Sequence, residues 1–142
     1  MNLNVFCEEL LPHPVGAVWG ALTDPAAISD WLMATSDFRP ALGARFRLKT
    51  RRLSATGWVD AEVLEFDPPH RMAWSWSAND GSPPSTVTFQ LAPEPGGTRL
   101  SLRHVGEIDS VVGGLLREGW PGRIIALSEV IRRGGDQVAT KS

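Results

Sequence analysis

The chain has 142 residues, enough for one domain that buries roughly 70% of its unfolded surface without disulfide or metal staples. Its 14 Lys+Arg against 16 Asp+Glu leave a net charge of −2, which excludes nucleic-acid binding by bulk positive charge, and its one cysteine, Cys7, excludes an internal disulfide or a CxxC metal knuckle. A composition of 42% hydrophobic and 21% charged residues is ordinary for a globular protein; six Trp with no Tyr is not.

The N-terminal stretch reads as a strand, with Leu3, Val5 and Cys7 alternating against Asn2, Asn4 and Phe6. Pro12-His13-Pro14 breaks it, His13 falling where a helix N-cap would sit and Pro14 suiting a first helical turn. Val15, Val18, Trp19 and Leu22 then make one helical face. Asp24 as N-cap and Pro25 behind it start a second, short helix whose apolar side is Ile28, Trp31 and Leu32. Residues 33–42 read as irregular.

From there the period is two. Phe46 and Leu48 alternate with Arg45, Arg47 and Lys49; Val59, Ala61 and Val63 with Asp60 and Glu62; Met72, Trp74 and Trp76 with Arg71, Ala73 and Ser75. Val87, Phe89 and Leu91 follow, then Leu100, Leu102 and His104. Asp67-Pro68-Pro69, Asn79-Asp80-Gly81 and Glu94-Pro95-Gly96-Gly97 supply turns, so the five strands form an antiparallel meander with one apolar face. Leu116, Trp120, Ile124, Leu127 and Ile131 share a face of a C-terminal helix, which Pro121 either kinks or opens and Gly134-Gly135 ends.

This order predicts an α+β fold: a curved antiparallel sheet of about six strands wrapped round a long C-terminal helix, with two short helices after the first strand. One domain is expected over 1–135, followed by a flexible polar tail over 136–142. A sheet curved round one helix leaves a hollow between them, and function is expected there.

The run Pro14-Val15-Gly16-Ala17-Val18-Trp19-Gly20-Ala21-Leu22-Thr23-Asp24-Pro25, followed by Asp30-Trp31-Leu32, resembles the helical opening of the SRPBCC superfamily. This is the START-like, birch-pollen-allergen-like helix-grip group. Further matches are Leu42-Gly43-Ala44-Arg45-Phe46, Val63-Leu64-Glu65-Phe66-Asp67-Pro68-Pro69-His70-Arg71-Met72, Trp74-Ser75-Trp76 and Ser85-Thr86-Val87-Thr88-Phe89. Gly96-Gly97-Thr98-Arg99-Leu100, His104-Val105-Gly106 and Gly119-Trp120-Pro121 complete the set, which covers roughly residues 3–134. Within the superfamily the chain is similar to the branch named after the activator of heat-shock protein 90 ATPase. The resemblance implies a ligand cavity between sheet and C-terminal helix and carries no catalytic motif, since members include lipid and hormone carriers, polyketide aromatase/cyclases, antibiotic-sequestering proteins and co-chaperones.

The candidate lining of that cavity is Phe46, Met72, Trp74, Trp76, Phe89, Leu102 and His104 from the sheet, with Leu116, Trp120, Ile124 and Leu127 from the helix. Trp74 and Trp76 either stack on a flat apolar ligand or fill the core, while Trp19 and Trp31 lock the small helices and Trp58 has no clear place. His104 is either a polar handle or general base in the cavity or a buried histidine satisfied by its surroundings. No metal site or cofactor is expected, because His13, His70 and His104 are scattered. Nor is a nucleophile expected, since Cys7 stands without a motif and no GxSxG occurs. The basic stripe Arg45, Arg47, Lys49, Arg51, Arg52 is either a dock for an acidic protein partner or a charged outer face, and it lacks the interleaved aromatics of a nucleic-acid surface.

Three functions compete. The expected one is binding of a small hydrophobic molecule, a lipid, polyketide or aromatic metabolite. An aromatase/cyclase-like enzyme using the same cavity and a co-chaperone acting through its outer surface are the alternatives, the residues favouring binding over catalysis. With no apolar stretch near the roughly 18–20 residues that span a bilayer, and no signal-peptide pattern after Met1, a cytoplasmic monomer or homodimer is expected.

Overall fold

A computed structural model describes the backbone of residues 2–141 and the side chains of residues 2–134. Strand β1 (Asn2–Leu11) is followed by helices α1 (Val15–Thr23) and α2 (Pro25–Trp31), strands β2 (Thr35–Ser36), β3 (Arg45–Lys49), β4 (Trp58–Asp67), β5 (Arg71–Ser77), β6 (Ser85–Glu94) and β7 (Gly97–Glu107), and helix α3 (Ser110–Lys141). All seven strands form one antiparallel sheet in the order β1-β7-β6-β5-β4-β3-β2. The meander runs from β3 to β7, and β1 pairs with β7 over its whole length, from Asn2 opposite Glu107 to Leu11 opposite Thr98. The α+β helix-grip architecture expected from the sequence is the one observed.

Alternation decides which side of each strand faces α3. Phe46 and Leu48, Val59, Ala61 and Val63, Met72, Trp74 and Trp76, Val87, Phe89 and Leu91, and Leu100, Leu102 and His104 are all buried. From the helix, Leu116, Trp120, Ile124 and Leu127 meet them. In β4 the register slips between Val63 and Glu65, leaving Leu64 unpaired and exposed as a bulge.

Three details depart from the sequence reading. The sheet has seven strands rather than about six, because Thr35 and Ser36, read as irregular, pair with Leu48 and Arg47; two residues carry no readable period. Pro14, not His13, occupies the N-cap of α1 and offers no side-chain cap. His13 instead ties the turn down, its carbonyl accepting from Thr98 Oγ1 at 2.8 Å and its Nε2 lying 3.1 Å from Ser128 Oγ on α3. Of the two alternatives for Pro121, the one that puts it inside a longer helix holds, but Gly134-Gly135 does not end that helix. A glycine costs a helix only about 1 kcal/mol and stops it only where the backbone turns left-handed. Met1, Ser142 and the side chains past Gly134 lie outside the described residues; the backbone up to Lys141, expected as a flexible tail from 136, belongs to α3.

The start of α2 follows the sequence reading: Asp24 accepts from the Ala27 N–H at 3.0 Å, with Pro25 in the first turn. Trp31 at its end is buried, donates its indole N–H to the Ala21 carbonyl at 3.0 Å, and meets Phe89 edge-on. Trp19 is half-buried against Phe66.

Candidate functional site

The interior between sheet and helix is largely occupied. Phe38, Phe46, Trp74 and Phe89 form a chain of edge-to-face contacts with centroids 4.8–5.9 Å apart. Phe89 passes the contact to Trp120, which meets Trp76 at 5.7 Å and the His104 ring at 5.9 Å. Such pairs hold each ring edge against its neighbour's face.

Space opens instead at one end of this network. A partly open cavity of about 310 Å³ lies between the C-terminal end of α2 (Leu32, Met33), the β3 end and β3–β4 loop (Lys49 to Leu53), Trp76 of β5, and Leu115, Leu116, Gly119, Trp120 and Arg123 of α3. Its volume is at the low end for small-molecule sites, roughly 300–1,000 Å³. Its floor is apolar and buried, from Leu32, Trp76, Leu116 and Trp120.

Of the eleven residues expected to line a cavity, Trp76, Leu116 and Trp120 do so. Phe46, Met72, Trp74, Phe89, Leu102, His104, Ile124 and Leu127 do not line it; they pack against one another as core. For Trp74 the core-filling alternative is the one seen, and the large aromatic side chains around it occupy much of the space between sheet and helix. The loop residues that complete the wall follow no strand or helix period. Their only sequence signal is the basic run of Lys49 to Arg52 ending in Leu53.

His104 sits one layer behind the wall. The Trp120 indole N–H donates to its Nδ1 at 3.1 Å, so Nδ1 is the acceptor and the neutral ring carries its proton on Nε2. Nε2 faces Ser85 Oγ at 2.7 Å, and Ser85 donates onward to the Trp76 carbonyl at 3.3 Å. Burial lowers the imidazole pKa from 6.5 to about 4, which keeps the ring neutral at pH 7. The chain of donors is complete and runs the wrong way for nucleophilic catalysis: the serine oxygen accepts a hydrogen bond from the histidine Nε2–H and directs its own proton to a carbonyl rather than to a basic nitrogen. His104 is therefore the satisfied buried histidine of the two alternatives.

The basic stripe divides. Arg45 stands opposite Glu62 and bonds it at 3.2 Å; Arg47 stands opposite Asp60 and bonds it at 2.9 Å. Lys49 stands opposite Trp58, whose half-buried ring lies under the Arg47 guanidinium at 5.9 Å. Lys49, Arg51 and Arg52 line the cavity with Arg123, and none of the four is ion-paired among the described residues. Among the described residues no three His, Cys, Asp or Glu converge as a metal would need, and no helix is long and apolar enough to cross a membrane.

A seven-stranded antiparallel sheet closed over one long terminal helix, with a small cavity at its end, defines a helix-grip protein of the SRPBCC type. The chain belongs to the family described as activator of Hsp90 ATPase homolog 1-like protein, whose model matches residues 12–131. It is similar to the crystal structure of protein MLL2253 from Mesorhizobium loti, with 32% identity, TM-score 0.78, and coverage of 92% of this chain and 97% of that one. CalU16 from Micromonospora echinospora is 27% identical at TM-score 0.73, over 97% of this chain and 82% of that one. DynU16, from the dynemicin biosynthetic locus, shares the fold at 24% identity and TM-score 0.77, over 92% of this chain and 48% of that one. No curated protein matches the chain.

Proposed function

We propose that this protein binds a small apolar molecule in the cavity between α3, β5 and the β3–β4 loop. The carrying observation is the cavity itself: about 310 Å³ of space reaching a buried floor of two indoles and two leucines. Flat, apolar ligands suit Trp76 and Trp120, whose planes lie 61° apart. Catalysis in the same place has less support, because His104, the one buried titratable group behind the wall, is engaged on both nitrogens. A dock for an acidic protein has less support too, since Arg45 and Arg47 already face carboxylates.

The neutral fluorophore N-phenyl-1-naphthylamine tests the reading. Saturable one-to-one fluorescence enhancement is expected. Gly119 gives the control: it lines the cavity, and a Cβ added there meets nothing within 4 Å. Gly119→Leu therefore fills the cavity while improving the helix by about 0.5–1 kcal/mol. It should weaken the fluorophore tenfold or more without lowering the melting temperature. Absence of saturable binding, or undiminished binding by the variant, would overturn the proposal.

A further inference from the structure

We infer that the ligand of this cavity is an anionic amphiphile, its apolar body on the Trp76–Trp120 floor and its carboxylate or phosphate head among Lys49, Arg51, Arg52 and Arg123. This rests on the cavity being a binding site and adds the chemistry of what binds. Four of the chain's 14 cationic side chains line one cavity of about 310 Å³, although the chain as a whole carries a net charge of −2. Among the described residues no Asp or Glu lines it.

On the sheet, four of the five arginines meet carboxylates, Arg45 with Glu62, Arg47 with Asp60, Arg71 with Glu65, Arg99 with Glu94 and Glu8, and the fifth, Arg103, bonds the Asn4 amide oxygen at 3.2 Å and lies over the Phe6 ring. The cavity cations break that pattern. They are exposed while the apolar wall beneath them is buried, so the site is graded from a charged rim to an apolar floor. A body with one charged end matches that gradient; a wholly apolar body leaves four like charges around it without a counter-charge. Trp76, part of the wall, also keeps its indole N–H buried with no acceptor among the described residues. Guanidinium groups take carboxylate and phosphate alike in two-pronged hydrogen bonds, so head chemistry is common to both and the two are separated by experiment.

The test compares two fluorophores with the same aromatic body, 1-anilinonaphthalene-8-sulfonate and the neutral N-phenyl-1-naphthylamine. The sulfonate should bind at least tenfold more tightly, and the advantage should shrink as salt is raised. Arg52 also borders a neighbouring groove that carries Asp80, Glu107 and Asp109, so Lys49 and Arg123 are the cleaner probes. Lys49→Gln with Arg123→Gln should bring the two dyes to parity. Arg45→Gln with Arg47→Gln, which removes the same charge from the outer face, should leave the preference intact. Decanoate or decyl phosphate should then displace the sulfonate at tenfold lower concentration than decanol, and whichever acts at lower concentration identifies the head.

Equal binding of both dyes by the unaltered protein overturns the inference while leaving apolar binding standing. Loss of the preference in the outer-face variant overturns it as well, since bulk charge then suffices. If neither dye binds, the binding site falls and this inference with it.

Discussion

Burial holds the His104 imidazole neutral, and folding stability should record it. The unfolded chain takes up the proton near pH 6.5, the folded protein only near pH 4. This contribution is fully present above about pH 6.5 and is lost as the pH falls through that window, because the unfolded state then binds a proton the native state refuses. About 2 kcal/mol should disappear between pH 7 and pH 5, measured by urea unfolding at both values. His104→Leu should abolish most of that slope at a standing cost of about 1–3 kcal/mol, since the Trp120 N–H loses its acceptor. An unchanged slope in the variant would assign the pH dependence to another group. The sequence placed His104 on the apolar face of its strand; its partners, Ser85 and Trp120, lie 19 and 16 residues away and meet it only through the β6–β7 pairing and the packing of α3.

Among the elements, β1 and the β6–β7 hairpin meet so closely at Gly97 that the position has no room for a side chain. A Cβ added to Gly97 would stand 1.9 Å from the Leu11 carbonyl oxygen, at a φ of 153° that side chains rarely adopt. Backbone must move to admit it, so Gly97→Ala should cost more than about 2 kcal/mol. A midpoint shift in urea no larger than that of a surface substitution would show that β1 yields freely there. The elements themselves were readable because each buries one face: period two gave β3 to β7, and a 4-4-3 step gave α3. The two-residue β2 and the passage of α3 through Pro121 were not, since a strand that short has no period and a proline permits either a kink or a start.

For the whole molecule, aromatic volume sets how much space survives. Trp74, in edge contact with Phe38, Phe46 and Phe89, is buried and does not line the cavity. Trp74→Ala should therefore leave an internal void and cost about 3–5 kcal/mol in urea unfolding. A loss under about 1 kcal/mol would show that the interior collapses easily. A one-dimensional pattern names the residues that point inward but not the volume left among them. That remainder is a small difference between large packed volumes, and here it is decided by a loop and a helix end. The fold was therefore legible almost throughout, and the cavity at only three of its positions, Trp76, Leu116 and Trp120.

Trp76 and Trp120 stand 5.7 Å apart at 61°. Two indoles so close and so inclined couple their electronic transitions. The circular dichroism of this protein will thus carry an exciton signal on top of the helix and strand bands, and helix content read from ellipticity alone will be distorted. Because the pair also walls the cavity, a ligand that turned either ring would change that optical couplet.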